Sequence, residues 1–163
     1  MVGDSATVKM KLNNFRTNAL LDSGARWSVI DVGSLSALGL ENNIKNTDKC
    51  LFNASGHEMD ILGVVDIEVK RDDISPIVQE FKVLNTRTYS NILLGRDYLR
   101  KFGRATFDFE RNRVKLGKTW INAVTLSTED KVRMKGTSTI PARTEQVTSV
   151  RCSEQFSLLT ADF

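Results

Sequence analysis

The stretch that decides the fold is Ala19-Leu20-Leu21-Asp22-Ser23-Gly24-Ala25, with apolar residues resuming at Val29-Ile30. A short apolar strand runs directly into an acid, a small hydroxyl residue and a glycine. A strand closed by Asp-Ser-Gly is a common turn when it stands alone. Here a carboxylate at the end of a buried strand is costly to desolvate unless something uses it. Gly24 lets the backbone come close to a partner or ligand. The Ser23 hydroxyl can hydrogen-bond across the loop and fix it. Asp22 is therefore the candidate catalytic acid, with Ser23 and Gly24 as its supports.

Outward from this segment the dominant period is two. Val8, Met10 and Leu12 alternate with Lys9 and Lys11, and Val65, Ile67 and Val69 alternate with Asp66, Glu68 and Lys70. Phe81 and Val83 alternate with Glu80 and Lys82, Phe107 and Phe109 flank Asp108, and Val114 and Leu116 alternate with Arg113 and Lys115. Each pattern predicts a strand with one buried face. The breaks at Asn13-Asn14, Ser55-Gly56, Asp72-Asp73 and Arg111-Asn112 are turn-like. Short, closely spaced strands predict an antiparallel barrel or sandwich. Tyr98, Leu99 and Phe102 lie at helical spacing, so a helix is expected over 96–102, with a weaker helical turn over 33–38. From about residue 125 the chain turns polar and aperiodic, apart from a possible strand at Val147-Thr148-Ser149-Val150. The expected division is a domain over 1–125, followed over 126–163 by a linker or the edge of a neighbouring module.

Composition narrows the chemistry. With 40% hydrophobic and 26% charged residues, the 163-residue chain reads as a soluble globular protein. No apolar run approaches the roughly 20 residues that cross a bilayer, no signal peptide is read at the start, and no membrane partner is expected. One histidine, His57, makes a zinc site or a Ser-His triad a poor fit. No metal and no cofactor are expected, and any enzyme reading is pushed towards carboxylates. The two cysteines, Cys50 and Cys152, read as free thiols in a reducing compartment. Between residues 96 and 118 eight Lys or Arg face three acids. Several alternate with apolar residues, so a solvated face is preferred over RNA binding, and a nucleic-acid partner is not expected.

Taken together, these motifs resemble the retropepsins, the aspartic proteases of retroviruses and long-terminal-repeat retrotransposons. The Leu20-Leu21-Asp22-Ser23-Gly24-Ala25 stretch with Val29-Ile30 is similar to their first signature. Ile92-Leu93-Leu94-Gly95-Arg96-Asp97-Tyr98-Leu99 is similar to the second. Asn53-Ala54-Ser55-Gly56-His57, followed by Ile61-Leu62-Gly63-Val64-Val65, resembles a flap and its returning strand. Ala105 to Phe109 and Val114 to Leu116 resemble a closing hairpin. The resemblance runs in order over residues 5–118. Two departures stand out. Ser23 replaces the commoner threonine, and Arg26-Trp27 fills positions usually held by small or acidic residues of the pocket wall. There Arg26 would repel Arg96 and is expected to meet Asp97 or solvent. Residues 139–145 resemble the stretch that precedes reverse transcriptase in such polyproteins.

The resemblance implies a mostly β acid-protease barrel with one short helix after the second motif, acting as a two-fold homodimer. Metal-free peptide hydrolysis needs one group to protonate the carbonyl and another to activate water. This chain offers a single Asp-Ser-Gly, so the dyad would be Asp22 from each of two copies. Ala25, Ala54, Ser55, Gly56 and His57 would contact the peptide, while Gly95, Arg96 and Asp97 would be structural. The implied activity is an aspartic endopeptidase cutting its own polyprotein, in the cytoplasm and within virus-like particles. The alternative is a catalytically silent dimerisation or peptide-binding module on the same fold, its cleft blocked by Arg26-Trp27.

Overall fold

The structure, a computed structural model, describes residues 4–86 and 92–124 together with the backbone of a strand at Val147–Arg151. Its chain begins with a hairpin, β1 (Ser5–Leu12) and β2 (Phe15–Asp22), paired in register from Ser5↔Asp22 to Leu12↔Phe15. Asn13 makes the turn at φ 52°, a conformation that a short amide side chain tolerates. β3 (Val29–Asp31) leads into α1 (Val32–Ala37), capped by the Asp31 carboxylate, which accepts from the Ser34 N–H. Helix α1 occupies the weaker helical turn expected from the sequence.

Next come β4 (Lys49–Asn53) and β5 (Glu58–Met59), then the long hairpin β6 (Ile61–Arg71) and β7 (Ile74–Leu84). β8 (Ile92–Leu94) precedes α2 (Arg96–Leu99), which tightens into a 3-10 turn over Arg100–Phe102. Six strands close a barrel in the order β1-β2-β8-β3-β7-β6. Its interior holds Val8, Val65 and Phe81, as expected from alternation, together with Leu21, Ile30 and Leu94. The barrel is mixed rather than purely antiparallel, because β2 runs parallel to β8 and β3 parallel to β7. Strand alternation identifies faces but carries no information on direction, so this was beyond the sequence pattern.

Lys82 departs from the alternation. It should face solvent opposite Phe81 and Val83, yet its side chain is 1% exposed. A second apolar cluster, described below, covers that face of β7.

β6 bulges between Ile61 and Gly63, where the chain passes hard against residue 45. Gly63 has φ +148°, and a Cβ there would lie 2.2 Å from the Lys45 carbonyl oxygen. Backbone has to move to admit it. Gly63→Ala should therefore lower stability by about 2–3 kcal/mol, in the upper part of the overpacking range, measured by urea unfolding. An unchanged midpoint would show that the contact between residue 45 and β6 is soft.

Beyond the barrel, β9 (Ala105–Asp108), β10 (Arg113–Leu116) and β11 (Thr119–Asn122) form a small antiparallel sheet. Its buried Val114 and Leu116 join the main core, and Ala123 bridges Val8. Phe109 was expected on a buried face with Phe107. It lies past the end of β9, is 64% exposed and stacks on Phe107. In the basic window Arg111 and Arg113 both meet Asp108.

The third sheet has the order β12-β4-β5, where β12 is Val147–Arg151. Val147 stands opposite Asn53 and Arg151 opposite Lys49. The possible late strand thus forms, against the hairpin. Cys50, opposite Val150, is disulfide-bonded, which corrects the reading of two free thiols. Pairing between strands about a hundred residues apart is not visible in cysteine spacing. Cys152 and the 139–145 stretch lie outside the described residues.

Candidate active site

Asp22 ends β2 and is 3% exposed. Its Oδ1 accepts the Gly24 N–H at 2.8 Å, and the Ala25 N–H also bonds the carboxyl. Burial pushes this carboxyl above the usual carboxylate range, and the two backbone donors pull in the opposite direction. Burial wins. The acid is thus poised to hold a proton at a pH where exposed carboxylates have lost theirs.

Ser23 bonds to the segment ahead of β1 rather than across its own loop. Its Oγ accepts the Asp4 N–H at 2.7 Å, while its own N–H donates to the Asp4 carbonyl at 2.8 Å. The start of the chain is thereby stitched to the residue beside the candidate catalytic acid.

β8 is inserted between the two strands that flank this loop. Leu20 and Leu21 pair with Leu93 and Leu94, and Val29 and Ile30 pair with Leu93 and Ile92. The chain after β8 then turns under the loop. The Arg96 N–H donates to the Ala25 carbonyl at 2.8 Å, and the Asp97 N–H to the Arg26 carbonyl at 3.2 Å. Gly95 permits this approach, since a Cβ would stand 2.7 Å from the Trp27 oxygen and 2.8 Å from the Ala25 oxygen.

Asp97 plays a holding part. Its carboxylate accepts from the Ser28 hydroxyl at 2.7 Å, the Ser28 N–H at 3.1 Å, Gln79 Nε2 at 2.8 Å and the Tyr98 N–H at 2.9 Å. Arg26 was expected to meet Asp97 or solvent. Its backbone carbonyl accepts the Asp97 N–H, and its guanidinium lies 5.4 Å from the Trp27 ring centre. Ser28 and Gln79, both buried, were missed by sequence reasoning. Ser28 sits in the variable stretch inside the first motif, and Gln79 lies on the distant β7.

The two signature segments are therefore one unit. Asn53, Ala54, Ser55, Gly56 and His57 form the tip of the β4–β5 hairpin. Asn53 Oδ1 accepts the Ser55 and His57 N–H groups at 3.0 Å each, and Gly56 turns the chain at φ +80°. Leu51 and Met59 of this hairpin pack in the cluster that holds Ala25, Val29 and Leu93. The hairpin thus sits on the loop that carries Asp22.

This topology is shared by a solved structure, the retroviral protease-like domain of Ddi1 from Leishmania major. The TM-score is 0.59 at 16% identity, over 77% of this chain and 96% of that one. The fold is retropepsin-like. A retropepsin-like aspartic protease from Rickettsia conorii matches at TM-score 0.47 and 15% identity, over 66% of this chain and 82% of that one. The EIAV protease, solved with the inhibitor HBY-793, matches at 0.42 and 20%, over 64% and 93%. No family model matches the chain, and no curated protein is similar to it in sequence. In this retropepsin-like frame the described residues include no helix long and apolar enough to cross a membrane.

Proposed function

We propose that the chain is one half of a homodimeric aspartic endopeptidase whose dyad is Asp22 from each copy. The observation that carries this reading is the buried Asp22 carboxyl, raised in pKa by burial and gripped by the Gly24 and Ala25 N–H groups. Two such carboxyls brought together share one proton, because both cannot ionise at short range. The protonated member polarises the peptide carbonyl, and the ionised member takes a proton from water. Their pKa values then belong to the pair.

Among the described residues, the acids nearest the core are occupied. Asp31 caps α1, and Asp97 is committed to Ser28 and Gln79. A second catalytic acid is therefore sought in a second copy. The β4–β5 hairpin is assigned the flap, with residues 54–57 closing over an extended peptide and excluding water. Polyprotein processing in a retrotransposon-like element, inside virus-like particles, is the biological setting this chemistry suits. Residues 1–125 are assigned to the catalytic domain and 126–163 to a linker or the edge of the following polyprotein module, which lends β12 to the β4–β5 hairpin.

A shared dyad makes activity depend on concentration. Specific activity should fall in step with the dimer population as the protein is diluted, with sedimentation run on the same samples. Flat specific activity from a monomer would rule out the shared dyad. The second reading, a silent peptide-binding module, draws on the packing of Trp27 against the apolar cluster beside the loop. Tight binding of a statine-type peptide by a dimer that cleaves nothing would favour it.

A further inference from the structure

The strands around the Asp22 loop present two faces. Leu21, Ile30, Ile92 and Leu94 point into the barrel core. Their neighbours Leu20, Val29 and Leu93 point the other way, into a separate cluster with Ala25, Leu51 and Leu84. This second cluster is built from the loop that follows Asp22, the strand beneath it and the hairpin above it. It forms an apolar wall beside the loop that carries Asp22.

Trp27 packs at the border of that wall, and three cations surround its ring. Lys82 Nζ is 4.9 Å from the ring centre, Lys49 Nζ 5.4 Å and the Arg26 guanidinium 5.4 Å. Such contacts hold cations on an aromatic face, and they do so without cancelling charge. Among the described residues the two lysines meet one carboxylate. Glu80 Oε1 binds Lys82 Nζ and stands 3.8 Å from Lys49 Nζ. Lys82 is buried and sits closest to Glu80, whereas the Lys49 side chain is 41% exposed at the base of the hairpin. Two ammonium groups sharing one carboxylate oxygen leave a positive charge beside an apolar surface, and the exposed Lys49 is its accessible end.

We infer that Lys49 and Trp27 form an acid-selecting subsite: the enzyme takes peptides with an Asp or Glu side chain close to the scissile bond. The substrate carboxylate binds Lys49, which shares Glu80 with Lys82, and the carbon chain of the same residue lies on the apolar wall. This inference rests on the endopeptidase reading above and adds its substrate class. The rival role for the cluster is purely structural, with Lys49 and Glu80 pinning the hairpin to β7.

The test uses the full chain and matched peptides built on a sequence that it cuts, with Glu or Gln placed at each position flanking the scissile bond. At about pH 6, above the ordinary glutamate value near 4.3, the Glu side chain is ionised. At one position kcat/KM for Glu should exceed that for Gln by about tenfold, the size of one charge-assisted hydrogen bond. Lys49→Met keeps the aliphatic stem and should bring that ratio to about one. Glu80→Gln removes the competing carboxylate and should raise the ratio. A structural pin would instead lower both peptides' rates together in either variant. Equal cleavage of Glu and Gln peptides by the unaltered protein overturns the subsite and leaves the endopeptidase standing. Peptides that are neither cut nor bound overturn the endopeptidase, and the subsite with it.

Discussion

Asp22→Asn is expected to leave a folded protein whose peptidase rate has dropped at least about a hundredfold, the lower end of what a positioned acid or base supplies. The amide keeps the size of the carboxyl and can still accept the Gly24 N–H. It can neither share a proton nor abstract one. The measurement is cleavage of a peptide by both proteins at equal dimer concentration. A variant that keeps more than a hundredth of the rate removes Asp22 from the chemistry.

The same variant should be the more stable protein at neutral pH. Burial holds the Asp22 carboxyl above its ordinary range in the folded chain. As pH rises, the unfolded chain therefore loses this proton first. Through the window between the ordinary carboxylate value and the raised folded one, the folded state binds more protons than the unfolded state. Stability falls with pH wherever that holds. Asparagine carries no charge to desolvate, so the gap between the two melting temperatures should open through this window and close in acid. A catalytic group that destabilises its own fold is what a functional acid in a buried site looks like. Equal melting temperatures at all pH values would mean that Asp22 is better solvated than its burial indicates.

Asp97→Ala has the other large expected effect, on stability. The carboxylate accepts four hydrogen bonds, three of them from the buried residues Ser28 and Gln79. Removing it strands those donors where water does not reach, and hydrogen bonds to charged groups contribute about 1.5–3 kcal/mol each. A loss of about 3 kcal/mol or more is expected in urea unfolding, with Asp97→Asn intermediate because the amide retains one acceptor. The Asp22 loop should loosen with it, since residues 95–97 hold that loop through the Ala25 and Arg26 carbonyls. A loss under about 1 kcal/mol would show that the second motif is dispensable to the first.

Much of this was written locally. Alternation placed β1, β6, β7 and β10 because a half-buried strand has to repeat every two residues. The turns at Asn13 and Asn112 were legible because few residues other than asparagine and glycine take a positive φ readily. Asp22 was legible because an acid ending an apolar strand is conspicuous. Lys82 was misread for the same local reason. Alternation assigns it to solvent, and nothing near it in sequence says that Trp27 and the cluster beside it cover that face. Phe109 was misread in the opposite sense, the strand ending one residue short of it.

The sequence by itself determined the strand faces, the short helix after β8 and the acid at the end of β2. These depend on side-chain period, turn chemistry and desolvation, all of which act within a few residues. Only the tertiary structure decided that β8 slots between β2 and β3, that Asp97 holds Ser28 and Gln79, that Cys50 is bonded, and that Lys49, Glu80 and Lys82 meet around Trp27. Each of those joins residues tens of positions apart. Which partner a buried polar or charged group finds is set by how the closed barrel brings distant backbone together, and no local pattern encodes that distance.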